Sequence, residues 1–193
     1  SVYIKLNPIM NGFGYGGFRR FNDTMSKQVP MIESCESTKK IAQFAFDFLT
    51  IISNNYSQQV AVSPLGLFST CLLLQEGANN ATKTELATRT RIENPCEELE
   101  RIGNLFPTTP TAKTTISNGN GIFTLKNTNI LLKYHHDTRN VATVTSCDTP
   151  ATFVGQVNNF VSTSTRGVIQ NIVSLPDVDL NAVLYVVNVL YFK

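Results

Sequence analysis

Histidine is nearly missing from this chain: there are two, His135 and His136, and they are adjacent. Hydrolysis by a serine or cysteine nucleophile needs a base beside it. Two neighbouring histidines on one expected helix, with no GxSxG elbow anywhere, do not supply that arrangement. P-loop, EF-hand and HExxH patterns are absent as well. Cysteine is sparse: Cys35, Cys71, Cys96 and Cys147 form no CxxC pair and have no histidine nearby. No zinc site, other metal site or cofactor is therefore expected. Several disulfide pairings are open to four cysteines, and spacing does not choose among them. Cys71 falls in an apolar helical pattern and reads as a core thiol.

Neither sign of charge dominates. With 16 basic and 14 acidic residues the net charge is +2, and the basic pairs Arg19-Arg20 and Lys39-Lys40 stand isolated. A nucleic-acid footprint is not expected. The longest apolar run falls short of the roughly 20 residues a membrane-spanning helix needs. The one acidic cluster, residues 93–100 (ENPCEELE), lies at a helix start, where carboxylates favour the macrodipole. It reads as solvated rather than as an enclosed acid–base pair, so no catalytic residue is expected. With 42% hydrophobic and 16% charged residues, the composition is that of a globular protein. Its length suits one domain or a large piece of a bigger one.

Three acceptor sequons, at Asn22, Asn55 and Asn80, are more than chance supplies in a chain this size. Each lies in a polar stretch, and together they point to a secreted, extracellular glycoprotein. No signal peptide stands at Ser1, which is expected of a cytosolic or an already processed chain.

Residues 1–37 lack helical or strand period, and NGFGYGGFRRF (residues 11–21) mixes glycine with aromatics. A flexible N-terminal arm is expected there. Order begins with a helix capped by Ser37 or Thr38, in which Ile41, Phe44, Ala45, Phe48, Leu49 and Ile52 make one apolar stripe. A short strand at 60–62 runs into Ser63-Pro64, a cap followed by a proline suited to the first helical position. The helix after it has almost no polar side and should be central. Shorter helices are expected at 83–92 and 96–106, then a Pro/Thr loop at 107–115. Residues 115–125 (TISNGNGIFTL) read as a strand whose glycines mark a bulge or a close approach. A helix at 127–139, a strand at 141–146 and a helix opened by Pro150 follow, then a helix-like piece at 168–173.

Residues 182–192 (AVLYVVNVLYF) are apolar on both alternating faces, with Asn188 the one fully polar residue. Such a strand belongs inside a sheet, covered on both faces and paired at both edges. Each large apolar side chain buried is worth about 1.5–3 kcal/mol. Leaving much of this strand wet would cost on the order of 10 kcal/mol, against about 5–15 kcal/mol for a whole domain. The expected partner is a polypeptide outside these residues. Helices and strands alternate without regular βαβ spacing, which indicates an α+β fold.

Five segments, in order, resemble the N-terminal half of a serpin. They are the apolar helix at 41–52, VAVSPLGLFSTCLLLQEGANNATKTEL (60–86), NGNGIF (118–123), QVNNFVSTSTRGVIQNIV (156–173) and AVLYVVNVLYFK (182–193). The resemblance spans residues 38–193 and implies N-terminal helices packed on part of a large central mixed sheet, with the last strand in the place of the family's strand 3A. It implies inhibition of a serine protease by suicide trapping through a reactive loop that this chain does not contain, and a fold incomplete without a C-terminal half. The alternative is a non-inhibitory structural or binding component that pairs its last strand with another polypeptide. Ser63 and Asn188 fall at the family's shutter, where polar groups under the sheet control its opening. Both also have local readings, Ser63 as a turn cap and Asn188 as a bulge-stabilising residue. The family usually has serine where this chain has Gly66, and its common tryptophan is Phe160 here. The helix that carries heparin-binding bases in some members is acidic here (Glu97, Glu98, Glu100), so heparin is not an expected partner.

Overall fold

The computed structural model describes residues 36–55, 62–105, 115–125 and 128–192. Most of the expected N-terminal arm, with Asn22 and Cys35, lies outside them. So do residues 60–61 of the expected short strand and nearly all of the Pro/Thr loop.

Helix α1 (Glu36–Asn55) is already helical at Glu36, ahead of the expected caps. Its stripe residues Ile41 and Phe44 pack on α2, where Phe44 meets Phe68 edge-on with ring centroids 5.1 Å apart. Helix α2 (Pro64–Gly77) is the hub: Phe68, Leu72 and Leu73 have no solvent exposure. An apolar helix of this kind must be surrounded, and α1, α3, α4, α5 and the last strand all touch it. Helix α3 (Asn80–Thr90) ends at Arg91 in the left-handed region (φ 59°). Its end is fixed by buried Gln75, whose amide donates to Ile92 O (2.7 Å) and accepts from Thr90 Oγ1 (2.8 Å). Helix α4 (Pro95–Asn104) buries Leu99 and Ile102 against the same core.

Strand β1 (Ile116–Leu125) is central in a three-stranded sheet of order β2-β1-β3. After a short helix α5 (Leu132–Thr138), strand β2 (Thr143–Cys147) runs parallel to β1. Helix α6 (Pro150–Ser164), capped by Thr149, crosses β1 on the face opposite α2. A single 3-10 turn (Leu175–Asp177) precedes β3 (Leu184–Phe192), which pairs antiparallel with β1. The layers are thus α2 with its neighbours, a mixed sheet, and α6, the α+β arrangement expected.

Several expectations need correction. The register between β1 and β3 is unbroken from Ile116 opposite Phe192 to Thr124 opposite Leu184, so β1 has no bulge and Asn188 stabilises none. Gly119 and Gly121 serve close approach instead: a β-carbon on Gly119 would stand 3.0 Å from Ser164 Oγ, and one on Gly121 3.1 Å from Phe160 of α6. Residues 168–173 are not helical. Asn158 explains why: its Oδ1 accepts from Ile172 N (2.9 Å) and Val173 N (3.1 Å), and its Nδ2 donates to Val173 O (2.9 Å). Those backbone groups are satisfied from α6, leaving none of them for a helical ladder.

Coverage of β3 is partial. Tyr185 and Val189 join the α6 core and Val186 joins the α2 core, so both faces are packed over its first two-thirds. Toward its end Leu190 is 44% and Phe192 71% exposed. Among the described residues no strand lies beyond β3, and its outer edge is unpaired.

Candidate functional site

The two residues singled out from sequence, Ser63 and Asn188, lie on either side of one glycine. Ser63 sits in extended backbone (φ −109°, ψ 97°), and its Oγ accepts from Gly66 N at 3.1 Å, so it is the cap of α2. Gly66 is buried and faces β3. A β-carbon there would overlap Asn188 Oδ1, and it would lie 3.1 Å from Asn188 Cγ and 3.2 Å from Ser63 Oγ. The absence of a side chain at Gly66 is what admits the Asn188 carboxamide between helix and sheet.

The rest of that carboxamide is held by β1. Asn188 Nδ2 donates to Asn120 Oδ1 (2.8 Å) and Asn118 Oδ1 (3.1 Å). Asn120 in turn donates to Val141 O (3.0 Å), in the turn before β2. Residues two apart on a strand share a face, so Asn118 and Asn120 point to the α2 side, and Asn188 stands opposite Asn120 in the ladder. One polar chain therefore links β3, β1 and the approach to β2 directly beneath α2. A buried or half-buried amide is costly unless its groups are paired, and this arrangement pairs the Asn188 donor. The network opens into a groove lined by Leu99, Asn104, Asn118, Asn120, Asn140 and Val141.

Asn118, Asn120 and Asn158 lie in the serpin-like segments 118–123 and 156–173, but the sequence assigned them no role. The signal for the first two was present as the i, i+2 spacing on a strand, but the adjacent glycines masked it as irregularity. No local signal marks Asn158, whose partners lie 14 and 15 residues ahead. The segment from α6 to β3 is tied at two further points. Thr165 Oγ1 accepts from Ile169 N (3.0 Å), and Tyr185 OH accepts from Asp179 N (2.8 Å) and donates to Asp179 O (3.0 Å).

The acceptor asparagines are dispersed. Asn80, first residue of α3, is exposed with φ 50°. Asn55 is the last residue of α1, and Asn22 lies outside the described residues. His135 and His136 are exposed on α5. Cys71, Cys96 and Cys147 are unpaired thiols. Cys96 lies in a charged cleft with Glu76, Lys133 and Asp137. Desolvation, the nearby carboxylates of Glu76, Asp137 and Glu100, and a hydrogen bond with Glu76 push its thiol up to about 12. Burial alone raises Cys71 to about 11. Among the described residues, no three His, Cys, Asp or Glu side chains converge as a metal site requires, and no helix is long and apolar enough to cross a membrane. On α4, Glu97 and Glu100 are exposed, while Glu98 pairs with Arg101 (2.5 and 3.0 Å).

The family described as "Serpin (serine protease inhibitor)" matches residues 39–193. A serine protease inhibitor of the mouse, Mus musculus, is 27% identical over 161 residues, covering 78% of this chain and 38% of its own length. Human thyroxine-binding globulin, solved with its ligand, superposes with a TM-score of 0.67 at 21% identity, covering 81% of this chain and 45% of its own. Serpin-12 of Manduca sexta superposes with a TM-score of 0.70 at 19% identity, covering 79% and 44%. At those identities the two structures speak for the fold alone. The chain spans less than half the length of each of these relatives.

Proposed function

This chain belongs to the serpin family and forms the N-terminal portion of its fold, and from that premise we propose that it is part of an extracellular inhibitor of serine proteases. In this reading a reactive loop on a C-terminal serpin half, outside these 193 residues, is cleaved by the target protease. The loop then enters the sheet beside β3 and holds the protease as a trapped acyl-enzyme, a loop-insertion switch that releases stored strain. The observation that carries the reading is the state of β3. Both its faces are packed over most of its length, one edge is bonded to β1, and the other edge is open among the described residues. An unpaired edge presents a row of amide and carbonyl groups that template another strand.

Ser63, Gly66 and Asn188 act as the shutter of this device. Asn188 couples β3 to β1, and its seat against Gly66 couples β3 to α2, so moving β3 relative to α2 requires breaking or carrying these contacts. The carboxylates of α4 make a polyanionic cofactor such as heparin a poor match.

The test is activity. Natural material carrying this chain, titrated against trypsin-like and chymotrypsin-like proteases, should remove activity irreversibly and in fixed stoichiometry with one class. A second reading has one observation behind it: thyroxine-binding globulin, which shares the fold, is named for binding thyroxine rather than for inhibiting a protease. A chain of this kind would be a binding or structural component, its β3 edge covered by another polypeptide. Undiminished protease activity across the panel would favour that reading over inhibition.

A further inference from the structure

We propose that Asn80 receives an N-linked oligosaccharide when the chain passes through the secretory pathway; the inference rests on the extracellular reading above. Acceptance requires Asn-x-Ser/Thr, and the folded protein must then leave a bulky hydrated glycan in solvent. Residues 79–85 are all exposed, so Asn80 and Thr82 both lie on an open surface at the start of α3. Asn80 contributes its carbonyl to Thr84 Oγ1 (3.1 Å), a bond that leaves the side-chain amide available.

The identity of residue 80 has a backbone explanation of its own. Its φ of 50° lies in the left-handed region, where asparagine is better tolerated than other side chains. Thr82 has no such explanation. It is exposed in the first turn of a helix, and a β-branched residue there is a poorer helix former than alanine. What Thr82 supplies is the hydroxyl that completes the acceptor sequence. Of the other two sequons, Asn22, Tyr56 and Ser57 lie outside the described residues.

The experiment expresses the full chain behind a cleavable secretion signal in eukaryotic cells, so its outcome does not depend on whether the natural protein is secreted. Secreted chain is treated with the amidase that converts a glycan-bearing asparagine to aspartate in heavy-oxygen water, then mapped by peptide mass. Asn80 should carry the label, and Thr82→Ala should remove one glycan from the intact mass while far-UV circular dichroism stays unchanged. Asn80→Gly, which keeps the left-handed backbone, should remove the same glycan. Secreted chain whose Asn80 is unlabelled would overturn the inference. Failure of the extracellular reading would appear separately, as retention of the natural protein inside its cells.

Discussion

Asn188 Oδ1 occupies the space that a β-carbon on Gly66 would need, so the first turn of α2 and the middle of β3 are in contact through a missing side chain. Gly66→Ala has two opposed effects. Replacing a helical glycine gains about 0.5–1 kcal/mol. Displacing the Asn188 amide loses its bonds to Asn120 and Asn118, about 0.5–1.5 kcal/mol each. The loss outweighs the gain, and Gly66→Ala should destabilise by about 1 kcal/mol in urea unfolding. In an Asn188→Ala background the same change should become stabilising. A double-mutant cycle reads the coupling, about 1–2 kcal/mol, directly; additive effects would mean the two residues do not share the site.

Asn158→Ala should free the segment between α6 and β3. Two amides and one carbonyl lose their partner at once, and each unsatisfied half-buried group costs about 1 kcal/mol or more. A loss of about 2–3 kcal/mol is expected, with faster amide exchange at Ile172 and Val173 while the amides of α2 keep their relative protection. Asn158→Asp keeps the acceptor and should restore slow exchange at those two amides.

Thiol ionisation should couple to stability at high pH. The Cys96 thiol, desolvated and beside Glu76, rises from 9.0 to about 12, and Cys71, desolvated, from 9.0 to about 11. The folded state therefore holds these protons where the unfolded state releases them. The contribution is fully present below pH 9 and is lost as pH rises from 9 toward 11–12. Cys96 should accordingly resist alkylation at about pH 8 despite its partial exposure. Glu76→Gln, which removes the neighbouring negative charge, should lower its pKa and speed the reaction at a given pH.

Much of this architecture was legible because it rests on local pattern. The apolar circumference of α2, the Thr149-Pro150 start of α6 and the two-sided apolar run of β3 each dictate an element, and for α2 its burial as well. What was not legible depends on partners distant in sequence. The glycines of β1 are compatible with a bulge or with close approach, and Phe160 and Ser164 on α6, together with the Phe123 ring on β1 itself, decide for the latter. Residues 168–173 carry helix-compatible apolar spacing, but Asn158 captures the backbone groups that a helix would need. Asn188 was conspicuous as the lone polar residue of an apolar strand. Its acceptors, Asn118 and Asn120, were hidden in a glycine-rich stretch.

If the proposed reading holds, the open edge of β3 receives a strand from outside these 193 residues. Hydrogen–deuterium exchange of residues 184–192 measures it, comparing the 193-residue chain by itself with natural material that includes whatever covers that edge. The outward amides of β3, and above all those of Leu190 and Phe192, should exchange rapidly in the chain by itself and become strongly protected in the natural material. Equal protection in both samples, with the chain by itself monomeric and cooperatively folded, would contradict the claim.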